Sequence, residues 1–167
     1  MKPLEPPDCH HLSAALGWLG LGNVTEAGVE LKKIAPEFRS HPHVLAVQYD
    51  VHALAGKWDA AADIAGTLAQ LEPEHPGTWV SLAYAIRRKA GGGIPLARSI
   101  LIQAQRTFPE EQIIAYNLAC YDCQLGDLDA AKVWLDKACK LGDAETMKQT
   151  ALQDEDLKPL WPELRGS

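Results

Sequence analysis

Four glycines divide the chain into near-equal lengths: Gly22, Gly56, Gly92 and Gly126, spaced 34, 36 and 34 residues apart. Five residues after each stands an alanine, at Ala27, Ala61, Ala97 and Ala131. Four further on are Leu31, Ala65, Leu101 and Leu135, and three beyond those Ile34, Leu68, Ala104 and Ala138. Steps of four and three return to one side of an α-helix, so the helix after each glycine carries an apolar stripe. The glycine lets the chain turn sharply after a first helix, and the small alanine lets the second helix pack closely against it. One hairpin cannot bury both of its faces, so the units must stack, and stability becomes a sum of nearest-neighbour interfaces. An all-α fold of four stacked hairpins is expected.

The residues within the units carry a resemblance. The fourth has Tyr116-Asn117-Leu118-Ala119 in its first helix, Gly126-Asp127-Leu128-Asp129-Ala130-Ala131 across the turn, and Lys137-Ala138 near its close. The third has Trp79, Leu82 and Ala83, followed by Ala97, Ala104 and Pro109. The second has Gly56-Lys57-Trp58-Asp59-Ala60-Ala61 and Pro73, and the first keeps Gly22-Asn23-Val24-Thr25-Glu26-Ala27. Over residues 9–143 the chain resembles the tetratricopeptide repeat (TPR) family. The resemblance implies a right-handed α-solenoid of four hairpins, at about residues 9–42, 43–75, 76–110 and 111–143, forming a single domain over 1–167. Residues 144–165 are expected to cap the stack, and within them residues 151–161 resemble the acidic closing segment of many bacterial members. A helix over 143–152 should cover the last hairpin, with Leu157, Leu160 and Trp161 as buried anchors and Asp154 or Asp156 as an N-cap. Two features depart from the family. Gln48 stands where leucine is preferred, and Ala90-Gly91-Gly92-Gly93-Ile94-Pro95 lengthens the third turn by two residues. That turn lacks the Gly-Lys-Ser/Thr of a phosphate loop.

Charge narrows the function classes. Of 16 basic and 22 acidic residues, 10 of each lie in residues 1–107, leaving 6 basic and 12 acidic beyond. The net charge of −6 therefore sits in the last third, which argues against a nucleic-acid partner. With 47% hydrophobic residues the chain has ample apolar surface to fold. The longest apolar stretch, residues 12–22, is well short of the roughly 20 residues of a membrane span. The start is Pro-rich with Glu5 and Asp8 and does not read as a leader, so a soluble cytoplasmic protein is expected.

Groups that could carry chemistry are few. Cys120 and Cys123 have the two-residue gap of redox and zinc motifs, yet they fall inside a helix with no second pair at ligand spacing. Packing is the simpler account, with a thiol-redox or metal-handling protein as the alternative. His41 and His75 are 34 residues apart, as are Cys9 and His43. Equivalent sites on adjacent repeats lie about 10 Å apart, too far to share a metal. The histidines read as helix-start residues. No catalytic arrangement, cofactor or metal site is expected.

What the resemblance implies is a concave groove lined by first helices that binds a peptide or helix. The family's groove positions fall on Leu12, Leu16 and Leu19 in the first unit and on His43 and Asp50 in the second. In the third they fall on Tyr84, Arg87 and Arg88, and in the fourth on Tyr116, Asn117, Cys120 and Gln124. Arg87-Arg88-Lys89 either complements a helix dipole or recognises carboxylates, with Tyr84 as a stacking platform. Relatives that clamp a terminal carboxylate use several lysines and asparagines, of which Asn117 alone is present. The expected function is a non-enzymatic protein-interaction module, an adaptor or assembly factor. A secretion-type chaperone and a homodimer formed through the apolar first repeat are the other readings.

Overall fold

The structure is a computed structural model that describes residues 2–166. The described residues are all-helical, without a strand. They divide into two compact units, a first ending at Ala90 and a second beginning at Gly91, within the lengthened turn. The first holds α1 (Asp8–Gly20), α2 (Val24–Lys33), a 3-10 turn (Pro36–Phe38), α3 (Pro42–Leu54), α4 (Trp58–Leu71) and α5 (Pro76–Ile86). The second holds α6 (Ile94–Thr107), α7 (Gln112–Gln124), α8 (Leu128–Leu141), α9 (Ala144–Ala151), a 3-10 segment (Glu155–Leu160) and α10 (Trp161–Gly166).

The turns explain the glycines. Gly22, Gly56 and Gly126 have φ of 72°, 68° and 84°, a left-handed conformation that side-chain-bearing residues resist. Each closes the same pair of bonds. The N–H groups of Gly22, Gly56 and Gly126 donate to Leu19, Ala53 and Cys123 carbonyls. The next N–H groups, of Asn23, Lys57 and Asp127, donate to Trp18, His52 and Asp122. This pair of bonds is the Schellman closure, which satisfies carbonyls that a helix end leaves bare. The third turn departs from the sequence expectation. Gly91 (φ 67°) and Gly93 (φ 125°) take the left-handed positions, not Gly92, because the extra residues move the turning point.

All twelve stripe residues are buried, none more than 6% exposed. In the first unit they join α1 and α3 in two apolar clusters, one around Leu12, Leu31, Ile34 and Val44, the other around Tyr49, Ala61, Ala65 and Ala85. His41 and His75 cap α3 and α5, their Nδ1 atoms accepting from His43 and Gly77 N–H, each at 3.2 Å. In the second unit α9 packs on α8, and residues 155–160 return across α7. Asp154 is the cap there, accepting from Asp156 N–H at 3.0 Å. Leu157 and Leu160 are buried, and the half-buried Trp161 donates its indole N–H to the Ala151 carbonyl at 2.8 Å.

Two buried carboxylates have no counterpart in the repeat pattern. Asp8, at the start of α1, accepts the Ala35 N–H at 2.7 Å and ties the end of the first hairpin to its beginning. Asp122, only 2% exposed at its side chain, accepts two bonds from Arg98 of α6, from Nε to Oδ1 and from Nη2 to Oδ2. That bidentate pairing is the geometry in which arginine binds carboxylate most strongly.

Candidate interaction surface

The groove positions do not share one fate. In the first unit, Leu12 is buried in the core, so the sequence expectation that it lines a groove is corrected: the side chain is consumed in joining α1 to α2 and α3. Leu19 packs on the same cluster and is half-buried. Leu16 is 50% exposed. His43 and Asp50 are exposed on α3, where they border a cavity of about 380 Å³ together with Glu72, His75 and Ser81. Ala46 and Gly77, the smallest residues of its lining, form part of the wall. Tyr49 anchors one wall, its hydroxyl donating to the Ser81 carbonyl at 3.0 Å, and burial pushes its pKa up to about 12. Desolvation likewise raises the Asp50 carboxyl above its ordinary value.

At the end of α5 the cationic cluster takes a defined form. The Arg88 guanidinium lies 3.6 Å from the Tyr84 ring centre and 5.2 Å from that of Trp58. The two rings meet edge to face at 5.9 Å. Arg88 Nη1 donates to the Tyr84 carbonyl at 3.1 Å. Cation–π contact and this bond hold the guanidinium in place, while no carboxylate among the described residues pairs with it. Arginine has five N–H donors, and this one bond leaves capacity for a bidentate acceptor. The helix-dipole role is satisfied at the same time, because Arg88 sits just past the end of α5, beside its last carbonyls. Tyr84 is 39% exposed and Arg87 is half-buried. Trp58 was missed from sequence as a site residue, since its position after the Gly56 turn reads as part of the repeat.

In the second unit two of the four positions, Tyr116 and Cys120, are covered by the chain itself, while Asn117 is half-buried and Gln124 exposed. Tyr116 is buried, its hydroxyl donating to Asp154 Oδ2 at 3.1 Å. The Cys120 thiol meets that same oxygen at 3.6 Å. Gln124 Nε2 donates to the Asp156 carbonyl at 3.0 Å, and Asn117 turns its amide onto the Ile113 carbonyl at 2.8 Å. The expectation that Tyr116 and Cys120 line an open groove is therefore corrected: residues 154–157 lie over them. Burial, then the Asp156 and Asp154 carboxylates, push the Cys123 thiol upward, and burial does the same to Cys139. A raised pKa withholds the thiolate that redox chemistry needs. Donor atoms of Cys120, Asp154 and Asp156 do lie within 4.8 Å of one another, a spacing that metal ligands share among the described residues. Asp154, however, already accepts from Tyr116, Cys120 and Asp156 N–H, so the trio works as a lock holding the closing segment down.

Comparison with known proteins bears on the fold. No family model and no curated protein matches the chain. Among solved structures, it is similar to TTC0263, a thermophilic TPR protein of Thermus thermophilus. The TM-score is 0.70 at 19% identity, over 96% of this chain and 100% of that one. The fold is thus TPR-like, an all-helical architecture of the α-solenoid class. Among the described residues no helix is long and apolar enough to cross a membrane.

Proposed function

We propose that the chain is a non-enzymatic protein-interaction module, an adaptor or assembly factor of the cytoplasm that binds a polypeptide segment on the α3–α5 side of its first unit. The observation that carries this is Arg88, stacked on Tyr84 and Trp58 with no carboxylate partner among the described residues. A guanidinium fixed in this way is pre-organised, so a bound carboxylate gains its two bonds at little entropic cost. The neighbouring cavity, bordered by Asp50 and Glu72, would take a donor-bearing or cationic side chain of the same segment. The second unit contributes structure here, because Tyr116 and Cys120 at its corresponding positions are occupied from within. Against a thiol-redox role stand the burial of Cys120 and Cys123 and the raised Cys123 pKa. We also read both units as parts of one working domain, in keeping with the repeat period.

The test is paired capture from the source cell with the wild-type chain and with Arg88→Glu, quantified by mass spectrometry. A specific partner retained by wild type and lost from the variant supports the proposal. A partner set unchanged by Arg88→Glu refutes it. Limited proteolysis addresses the single domain: cleavage in residues 90–93 that releases two stable, independently folded fragments would contradict it.

A further inference from the structure

A larger groove, of about 800 Å³, runs between α2 and α3 and shares no lining residue with the α3–α5 cavity. Its charged walls are Lys32, Arg39 and Lys57, and no carboxylate is among them. Residues 1–107 carry ten basic and ten acidic side chains, so the groove is a local excess of cations within a balanced stretch. Lys32 and Lys57 form no ion pair among the described residues. Arg39 is held in place by two backbone carbonyls, Nε donating to Ile34 at 3.1 Å and Nη2 to Lys32 at 3.0 Å. Apolar side chains share that lining: Val29 is 39% exposed and Leu54 63%. His52 also lines the groove, and its Nδ1 is buried with no hydrogen-bond partner. Burial and Lys57 hold that imidazole below its ordinary pKa, so it is neutral at neutral pH.

We propose that this groove docks an acidic amphipathic segment of a partner protein, its apolar side chains seated between Val29 and Leu54 and its carboxylates held by Lys32, Arg39 and Lys57. Charge complementarity selects the occupant. A cationic segment would meet three like charges, and an uncharged one would leave them without counter-ions. Two exposed apolar side chains in the same groove give the segment something to bury, which separates docking from simple ion condensation. The site is independent of Arg88.

The experiment uses the full chain and a fluorescein-labelled synthetic peptide with a central leucine pair flanked by glutamates, followed by fluorescence anisotropy. Saturable binding that weakens with salt is expected, together with movement of the His52 ring resonances in the NMR spectrum. Lys32→Glu with Lys57→Glu should cost about tenfold or more in affinity, whereas Lys140→Glu, an exposed position on α8 outside both surfaces, should leave it unchanged. The milder Lys32→Gln with Lys57→Gln, matched to wild type by circular dichroism, should lose part of that affinity. No binding of the probe, equal binding by both double lysine variants, or a loss confined to Arg88→Glu would overturn the proposal. Self-association without peptide that Lys32→Glu with Lys57→Glu abolishes would also overturn it, by placing a second copy in the groove.

Discussion

Removing the Arg98 guanidinium, as in Arg98→Met, should be among the most damaging conservative changes in the second unit. Asp122 is 2% exposed at its side chain, and Arg98 supplies two bonds to its two carboxylate oxygens. Methionine keeps most of the aliphatic stem but leaves a buried carboxylate with neither bond. Breaking a buried pair from one side costs about 3–5 kcal/mol. The Arg98 side chain is 34% exposed, and water reaching the site softens the loss, so about 3 kcal/mol is expected. That is a large share of the roughly 5–15 kcal/mol that stabilises a domain. Replacing both partners, Arg98→Met with Asp122→Leu, removes the stranded charge and should return stability to within about 1 kcal/mol of wild type, or above it. Urea unfolding gives the three differences, and hydrogen exchange at α6 and α7 amides places the effect in the second unit. An Arg98→Met variant within about 0.5 kcal/mol of wild type would refute the assignment of Arg98–Asp122 as a buried pair.

Acidification should destabilise the first unit through His41 and His52. Both have folded pKa values below the ordinary 6.5, so the folded state disfavours their protonation. Their contribution is intact above 6.5 and is lost as pH falls through the folded values, because the unfolded chain then binds more protons. His41→Asn keeps a capping acceptor without a titrating ring, so its melting temperature should fall less steeply over that window; an identical slope would remove His41 from the account. Tyr49→Phe deletes the bond to the Ser81 carbonyl and should cost about 0.5–1.5 kcal/mol in urea unfolding, with no cost contradicting that link between α3 and α5. Asp154→Ala removes a cap and the acceptor of both Tyr116 and Cys120, so native-state thiol titration should show faster labelling of Cys120. Unchanged labelling would mean that the closing segment does not protect the thiol.

The repeat was legible because it is written twice, in the glycines that turn and in the stripe that packs. Gly22, Gly56 and Gly126 take the left-handed conformation, and the Ala27, Ala61, Ala97 and Ala131 positions are sealed. The third turn was misplaced by one residue because three consecutive glycines offer equivalent conformational freedom. Helix period alone tells which side of a helix is apolar but not which neighbour covers it. Leu12 therefore read as groove and is core, while Tyr116 and Cys120 read as groove and lie beneath residues 154–157. The Asp8 and Asp122 bonds were invisible for a related reason: each partner, Ala35 or Arg98, is 27 or 24 residues away. The Arg88–Tyr84 stack was half legible, since residues four apart meet on a helix, but Trp58 comes from another helix.

Where a partner lands on this chain is the most direct question to put to the account. Amide and indole chemical shifts recorded with and without a partner captured by the wild-type chain answer it residue by residue. Changes should centre on Asp50, Tyr84, Arg88 and the Trp58 indole, with Tyr116, Cys120 and Asp154 unmoved. A footprint on α7 instead, with residues 154–157 displaced and the Trp58 indole silent, would contradict it.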